Sequence, residues 1–354
     1  MSSAYPLNNM TLKEKIGQLF MMGFRGSDIS ENGDIIRLIN EHKPGGVILF
    51  DKDMIHHKPV HNISSPEQVK ALTSALQSAS DVPLLIGIDQ EGGVINRLKP
   101  EYGFPETKSH QFLGKQDLPE ITFMEGKHIA NVLSAAGINL NFAPVVDLAK
   151  NQNSSIIAKR ERSFGESAEK VIRHAESYIK GHQVKNVLTC CKHFPGHGSA
   201  EGDTHAGFVD VTNTWDESEL IPYSYLISKN LCPMIMTAHI FHSELDAKYP
   251  STLSKNVLTN LLRNELNFEG VLVSDDMQMR AISDHYSLKE TLKLGLNAGI
   301  DMFCFGNNLL EEQVSLSEGI QIIHDLVENG EVSEQRIDES AGRIIQLKNQ
   351  LSAA

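Results

Sequence analysis

The residues best equipped for chemistry lie between Leu188 and His205, in the run LTCCKHFPGHGSAEGDTH. An apolar segment over 187–191 stops at a polar loop carrying Lys192, His193, His197, Asp203 and His205, with Gly196, Gly198 and Gly202 between them. A buried strand that ends at ionisable side chains on a glycine-rich loop is how many α/β enzymes present acids, bases and nucleophiles. The alternative is a surface loop that happens to be rich in histidine. Asp203 and His205 stand two apart. On an extended loop they share a face, so the carboxylate can bond to the imidazole, fix its tautomer and stabilise its charged form. A second group is Val273-Ser274-Asp275-Asp276, which places two carboxylates at the end of another apolar run. Side chains alternate along a strand, so one of the two works in the site while the other supports it or caps the next helix. A carboxylate nucleophile facing a proton donor is what a retaining glycosidase needs, although the donor is usually a second carboxyl.

Metal-dependent hydrolysis is the competing chemistry. Lys192, His193, His239 and Asp275 at strand ends are similar to the arrangement in amidohydrolases. Those enzymes also need an HxH pair ending the first strand, and this chain reads Met22-Gly23-Phe24-Arg25-Gly26 there. Without that pair no metal and no other cofactor is expected. His56, His57 and His61 fall in a long polar segment, 51–65, where no carboxylate or cysteine keeps regular spacing with them. That segment reads as a solvated lid or rim loop.

The scaffold must bring these strand ends together. Short apolar runs occur over 19–24, 47–50, 83–89, 138–144, 187–191, 233–240, 270–276 and 302–305. Helical patterns alternate with them: one beginning near residue 12 behind a Thr11/Glu14 capping box, then 35–41, 68–77 with Pro66 at its start, 121–136, 167–185, 216–229, 255–266, 287–298, 311–328 and 333–351. Near-continuous apolar strands suit burial on both faces, and β-then-α alternation implies right-handed crossovers and a parallel sheet. Eight such units predict a single (β/α)8 barrel. A doubly wound sheet is the runner-up, but no GxGxxG follows a strand. Asp89, Asp147, Lys192, His193, His239, Asp275 and Asp276 all fall at or just past strand ends, which in a barrel converge on one mouth. No linker or composition shift divides the chain, so one domain over 1–354, with a core of about 11–350, is expected.

Composition narrows the setting. The 354 residues are 40% hydrophobic and 22% charged, ordinary for a globular protein. With 32 basic and 45 acidic residues the net charge is -13, which disfavours nucleic acid and anionic membrane surfaces as partners. Cys190, Cys191, Cys232 and Cys304 sit in apolar runs without CxxC spacing, as in a reducing compartment. The start, MSSAYPLNNMTLKEK, lacks a secretory pattern, and no run approaches the ~20 apolar residues of a membrane span. A cytoplasmic location is expected.

KHFPGHG (Lys192 to Gly198) followed by Asp203-Thr204-His205 resembles the signature of glycoside hydrolase family 3, in its single-domain β-N-acetylglucosaminidase branch. The likeness covers nearly the whole chain: DQEGG from Asp89, NFAP from Asn141, RSFG from Arg162, MTAH from Met236, SDDMQM from Ser274 and AGIDM from Ala298. It implies that Asp275 is the nucleophile, that His205 is the acid/base, and that Asp203 is the histidine's partner. It implies that Asp89, Arg97, Arg162, Lys192 and His193 bind the sugar, that His197 shapes the loop, and that His239 lines the mouth without binding metal. The expected reaction is exo-acting, retaining release of N-acetylglucosamine from muropeptides or chitin-type oligosaccharides. The partner is a small carbohydrate, with no obligate protein partner implied.

Alternatives remain within the family: β-glucosidase activity, assistance by the substrate's acetamido group at the Asp275-Asp276 pair, and phosphorolysis, which an imidazole tolerates better than a carboxylate would. Two departures bear on the aglycone. Val94 stands where the family often has arginine, and segment 51–65 is long and lacks the usual Arg-Asn after the second strand.

Overall fold

The computed structural model describes residues 7–28, 33–58, 60–154 and 156–352. Its strands, in chain order, are β1 (Phe20–Gly23), β2 (Gly46–Leu49), β3 (Leu85–Ile88), β4 (Leu140–Asn141), β5 (Leu188–Phe194), β6 (Val209–Asp210), β7 (Met234–Thr237), β8 (Ile240–Phe241), β9 (Val271–Asp276) and β10 (Met302–Phe305). Eight of them close a parallel barrel in the order β1-β10-β9-β7-β5-β4-β3-β2. The fold is a (β/α)8 barrel, with helices between successive strands. Every residue of β1, β2, β3, β7 and β10 is buried, because each strand has packed side chains inside and a helix layer outside.

Helix starts follow the capping chemistry of the sequence. Thr11 and Glu14 form the reciprocal capping box before the helix Leu12–Gln18. Ser65 accepts from the Gln68 N–H ahead of Pro66–Ser78, with proline at the first position. Ser167 and Ser287 cap Ala168–Gln183 and Leu288–Ala298 in the same way.

The structure departs from the periodicity in instructive places. β5 does not stop at Cys191. It runs through Lys192 and His193 to Phe194, all buried. Two polar residues persist in a buried strand because each has a carboxylate partner, described below. Register against β7 shifts between Cys191 and Phe194, and this breaks the strict alternation that would send Lys192 and His193 to opposite faces. A similar shift separates β10 from β9 where Asp275 and Asp276 sit. β4 is reduced to Leu140–Asn141. There the Asn141 amide reaches across to β3's exit, accepting from Gln90 N at 3.0 Å and donating to Gln90 O at 2.9 Å.

The helix expected over 255–266 is wound as a π-helix at Asn256–Glu265. The helix His110–Gln116 and the small parallel pair β6–β8 carry too little periodicity to be read from sequence. Segment 51–65 is a rim loop with an exposed outer part, including Lys52, Met54, His56, His57 and Lys58, and buried anchors. Asp51, Asp53, His61 and Asn62 are all buried, because the Asn62 amide supplies backbone partners: it accepts from Phe50 N at 2.9 Å and donates to Phe24 O and Gly26 O at 3.0 Å. No helix among the described residues is long and apolar enough to cross a membrane.

Candidate active site

The carboxyl ends of the strands gather the titratable residues at one mouth. Asp89 leaves β3, Lys192 and His193 end β5, His239 follows β7, and Asp275 and Asp276 end β9. One wall is an ion network. Lys192 Nζ lies 2.7 Å from Asp89 Oδ1 and 2.8 Å from Glu91 Oε1. Arg162 clamps the other side of Glu91, Nε to Oε2 at 2.9 Å and Nη2 to Oε1 at 2.8 Å. Glu91 is buried. Burial alone would raise its carboxyl, but Arg162 and Lys192 outweigh that and hold it far below the usual range. Arg97 completes the wall, within 3.7 Å of Asp89 Oδ2 and 3.6 Å of Asp51 Oδ1. Lys99 pairs with Asp51.

His193 is held rigidly. Its Nδ1 lies 2.7 Å from Asp147 Oδ2, and its Nε2 accepts from Arg162 Nη2 at 3.1 Å. Asp147 Oδ1 also receives the backbone N–H groups of His193 and His197. Glu91 is the residue that sequence reasoning missed as part of the site; Asp147 was placed at the mouth, but its hold on His193 was not foreseen. The signals were present: Glu91 stands two positions beyond Asp89, and Asp147 lies just past the NFAP strand.

His205 sits on the rim, its side chain about half exposed. Its Nδ1 is 2.8 Å from Asp203 Oδ1, and the same oxygen accepts the His205 N–H at 2.9 Å. The carboxylate thus folds back on the residue two positions on and orients the ring, leaving Nε2 outward. Burial lowers the imidazole pKa. The Asp203 hydrogen bond and the Asp275 charge more than reverse this and raise it above the ordinary histidine value. The loop is tied to the barrel at both ends. Gly198 N donates to buried Glu219 Oε2 at 3.0 Å, and Ala281 N, just beyond β9, donates to Thr204 O at 3.3 Å. Gly198 permits the approach: a Cβ there would lie 1.6 Å from Leu148 O.

Across the mouth, Asp275 Oδ1 accepts the Asp276 N–H at 2.8 Å, the single hydrogen bond to this carboxylate among the described residues. Burial works to raise its pKa. The imidazoles of His193, His239 and His205 and the Asp276 N–H outweigh burial, so Asp275 is held below the usual carboxylate range and stays ionised. Asp276 differs. It accepts the Gln278 N–H at 3.0 Å in the following turn, and burial beside Asp275 pushes it up to about 6. His239 spends both ring nitrogens, on Thr252 Oγ1 at 2.8 Å and Asp276 O at 3.0 Å. No set of three or more His, Cys, Asp or Glu among the described residues is arranged to hold a metal ion. The assembly can supply an ionised carboxylate, a protonatable imidazole and a wall of donors and acceptors.

Comparison with known proteins points the same way. Residues 11–347 match the glycosyl hydrolase family 3 N terminal domain. Beta-hexosaminidase A of Pseudoalteromonas piscicida is 30% identical over 385 aligned positions, covering 97% of this chain and 62% of that protein. The beta-hexosaminidase of Tolumonas auensis is 31% identical over 305 positions, 85% of this chain and 86% of its own. Among solved structures, a glycoside hydrolase family 3 beta-N-acetylglucosaminidase from Paenibacillus sp. str. FPU-7 superposes with a TM-score of 0.87 and 35% identity, over 97% of this chain and 63% of that one. The chain thus spans less than two thirds of the first and third of these proteins.

Proposed function

The chain belongs to glycosyl hydrolase family 3, and we propose that it is an exo-acting, retaining β-N-acetylglucosaminidase. The substrate is a terminal N-acetylglucosamine on a muropeptide or chitin-type oligosaccharide. Asp275, ionised and under-bonded, attacks the anomeric carbon and forms a glycosyl ester. His205, protonated on Nε2 and oriented by Asp203, gives its proton to the departing oxygen. It then takes a proton from water as the ester is hydrolysed. Asp89 accepts from sugar hydroxyls. The third Nζ proton of Lys192, the Arg97 guanidinium and the spare N–H of Arg162 donate to hydroxyls or the acetamido carbonyl, and His193 lines the pocket beside them. Asp276 serves the turn after β9.

The observation that carries this reading is the joining of the His205 loop to the segment after β9 by the Ala281–Thr204 hydrogen bond, which sets the imidazole within the field of the Asp275 carboxylate. The test is to trap the intermediate with a 5-fluoro N-acetylglucosaminyl fluoride and map it by peptide mass spectrometry. A sugar ester on Asp275 is expected. A sugar found elsewhere, or turnover with no enzyme adduct alongside an oxazoline product, overturns the covalent route.

A further inference from the structure

Phe208 is anomalous. It is 55% exposed on an otherwise polar loop, three residues beyond His205. The other phenylalanine exposed among the described residues, Phe112 at 43%, lies beneath Lys108 Nζ, 5.6 Å from its ring centre. The β6–β8 pair explains why Phe208 faces out. Val209 is paired with Ile240, and both turn into a small core with Ala200, Val211 and Ala238. Alternation therefore puts Phe208 and Phe241 on the opposite face. Their rings lie 5.3 Å apart, and the His285 ring lies 6.3 Å from Phe208. The three rings stand on the segments that lead away from His205, from His239 and from Asp276. They cluster on segments that follow the carboxyl ends of the strands, beside the loop that carries His205.

We propose that Phe208, backed by Phe241 and His285, is the stacking platform for the sugar on the leaving side of the scissile bond. The proposal rests on His205 as the proton donor. The departing oxygen must sit at its Nε2, so the departing residue lies over its loop. A β-linked pyranose with equatorial substituents presents flat C–H faces, and an exposed aromatic ring is the complementary surface. The side chain is thus a specificity determinant that favours a saccharide leaving group over a small one.

The experiment compares wild type, Phe208→Ala and Phe208→Trp on two substrates: a β-linked N-acetylglucosamine disaccharide, and N-acetyl-β-glucosaminyl fluoride, whose leaving group is too small to stack. For Phe208→Ala, KM for the disaccharide rises and kcat/KM falls about tenfold, the scale of a lost aromatic contact. The fluoride is unaffected within about twofold, and Phe208→Trp restores the disaccharide rate. An unchanged disaccharide rate in Phe208→Ala overturns the platform, and so does an equal fall on both substrates, which would mark a loop-packing role. Wild type inactive on both would instead overturn the glycosidase reading.

Discussion

Two aspartates at opposite poles of the barrel show what separates a working carboxylate from a structural one. Asp301 stands just before β10, at the amino-terminal pole. Its Oδ1 accepts from Arg336 Nη2 at 3.0 Å, Ser340 Oγ at 2.9 Å and Arg343 Nη1 at 3.1 Å. Its Oδ2 accepts from Arg263 Nη2 at 2.6 Å and Leu272 N at 2.9 Å. Every lone pair is spent. Asp275, at the carboxyl-terminal pole, is close to the reverse, with one hydrogen bond and three imidazoles around it. Both carboxyls are held below their ordinary range against the cost of burial, and by different means. Asp301 uses direct ion pairs that leave nothing free to react. Asp275 relies on neighbouring imidazoles and one backbone N–H, which leave its oxygens open to an electrophile. Saturation of the coordination sphere, more than burial or pKa, distinguishes the two.

The contrast breaks most sharply on substitution. Asp275→Ala lowers kcat/KM on an aryl N-acetylglucosaminide by about 10⁴-fold, as for loss of a nucleophile, while chemical denaturation shows a loss of no more than about 1 kcal/mol, because one hydrogen bond and no direct ion pair among the described residues is removed. Asp301→Ala does the opposite. It removes the carboxylate shared by Arg263, Arg336 and Arg343, three partly buried guanidinium groups, so stability falls by about 3–5 kcal/mol in urea titrations, and the folded fraction retains wild-type turnover per active site. If Asp301→Ala cuts turnover of the folded enzyme as deeply as Asp275→Ala does, the two poles are not separable. The linkage sign follows. Because the folded pKa of Asp301 is depressed, its stabilisation is complete above the unfolded carboxyl's range and is lost as pH falls through the folded value. Asp301→Ala should therefore flatten the acid limb of stability.

Smaller effects sharpen the picture at the mouth. With Asp203→Asn the imidazole loses the partner that raises it, so the alkaline limb of the kcat/KM profile, set by deprotonation of His205, moves to lower pH. An unmoved limb would assign it to another group. At the opposite pole, Lys348 Nζ is buried on Gln18 Oε1 at 2.6 Å, and burial pulls it down to about 7. Between that value and its ordinary range the unfolded chain binds the extra proton, so stability rises with pH there. Lys348→Met removes this dependence and is neutral or stabilising at pH 7, measured by thermal melts. A clear loss of stability would show that the Gln18 bond outweighs the desolvation.

Much of this was legible before coordinates. The eight apolar runs, the Thr11 and Pro66 helix starts and the clustering of polar residues at strand ends follow from local chemistry, and local chemistry is what the barrel uses. What escaped is non-local. Nothing in a one-dimensional pattern shows that Glu91 pairs with Arg162 and Lys192, or that Asp147 fixes His193, because those partners lie far apart in sequence. The same ignorance truncated β5: Lys192 and His193 look like loop residues until their carboxylate partners are known. The Asn62 amide hid the burial of the anchors of segment 51–65 in the same way. Asp301 sits in the AGIDM run yet shows no sign of its three arginines, which arrive from the segment Asn256–Glu265 and the C-terminal helix Glu334–Ser352.

The central claim is that Asp275 and His205 act on one sugar, the carboxylate at the anomeric carbon and the imidazole at the departing oxygen. The most direct test is a plot of kcat/KM against leaving-group pKa for a series of aryl N-acetylglucosaminides, for wild type and His205→Ala. The account predicts a shallow slope for wild type and a steep fall for His205→Ala, the two lines meeting at the most acidic phenols and parting by about 10³-fold at the least acidic. Parallel lines would mean that the imidazole gives no proton to the leaving group, and would contradict it.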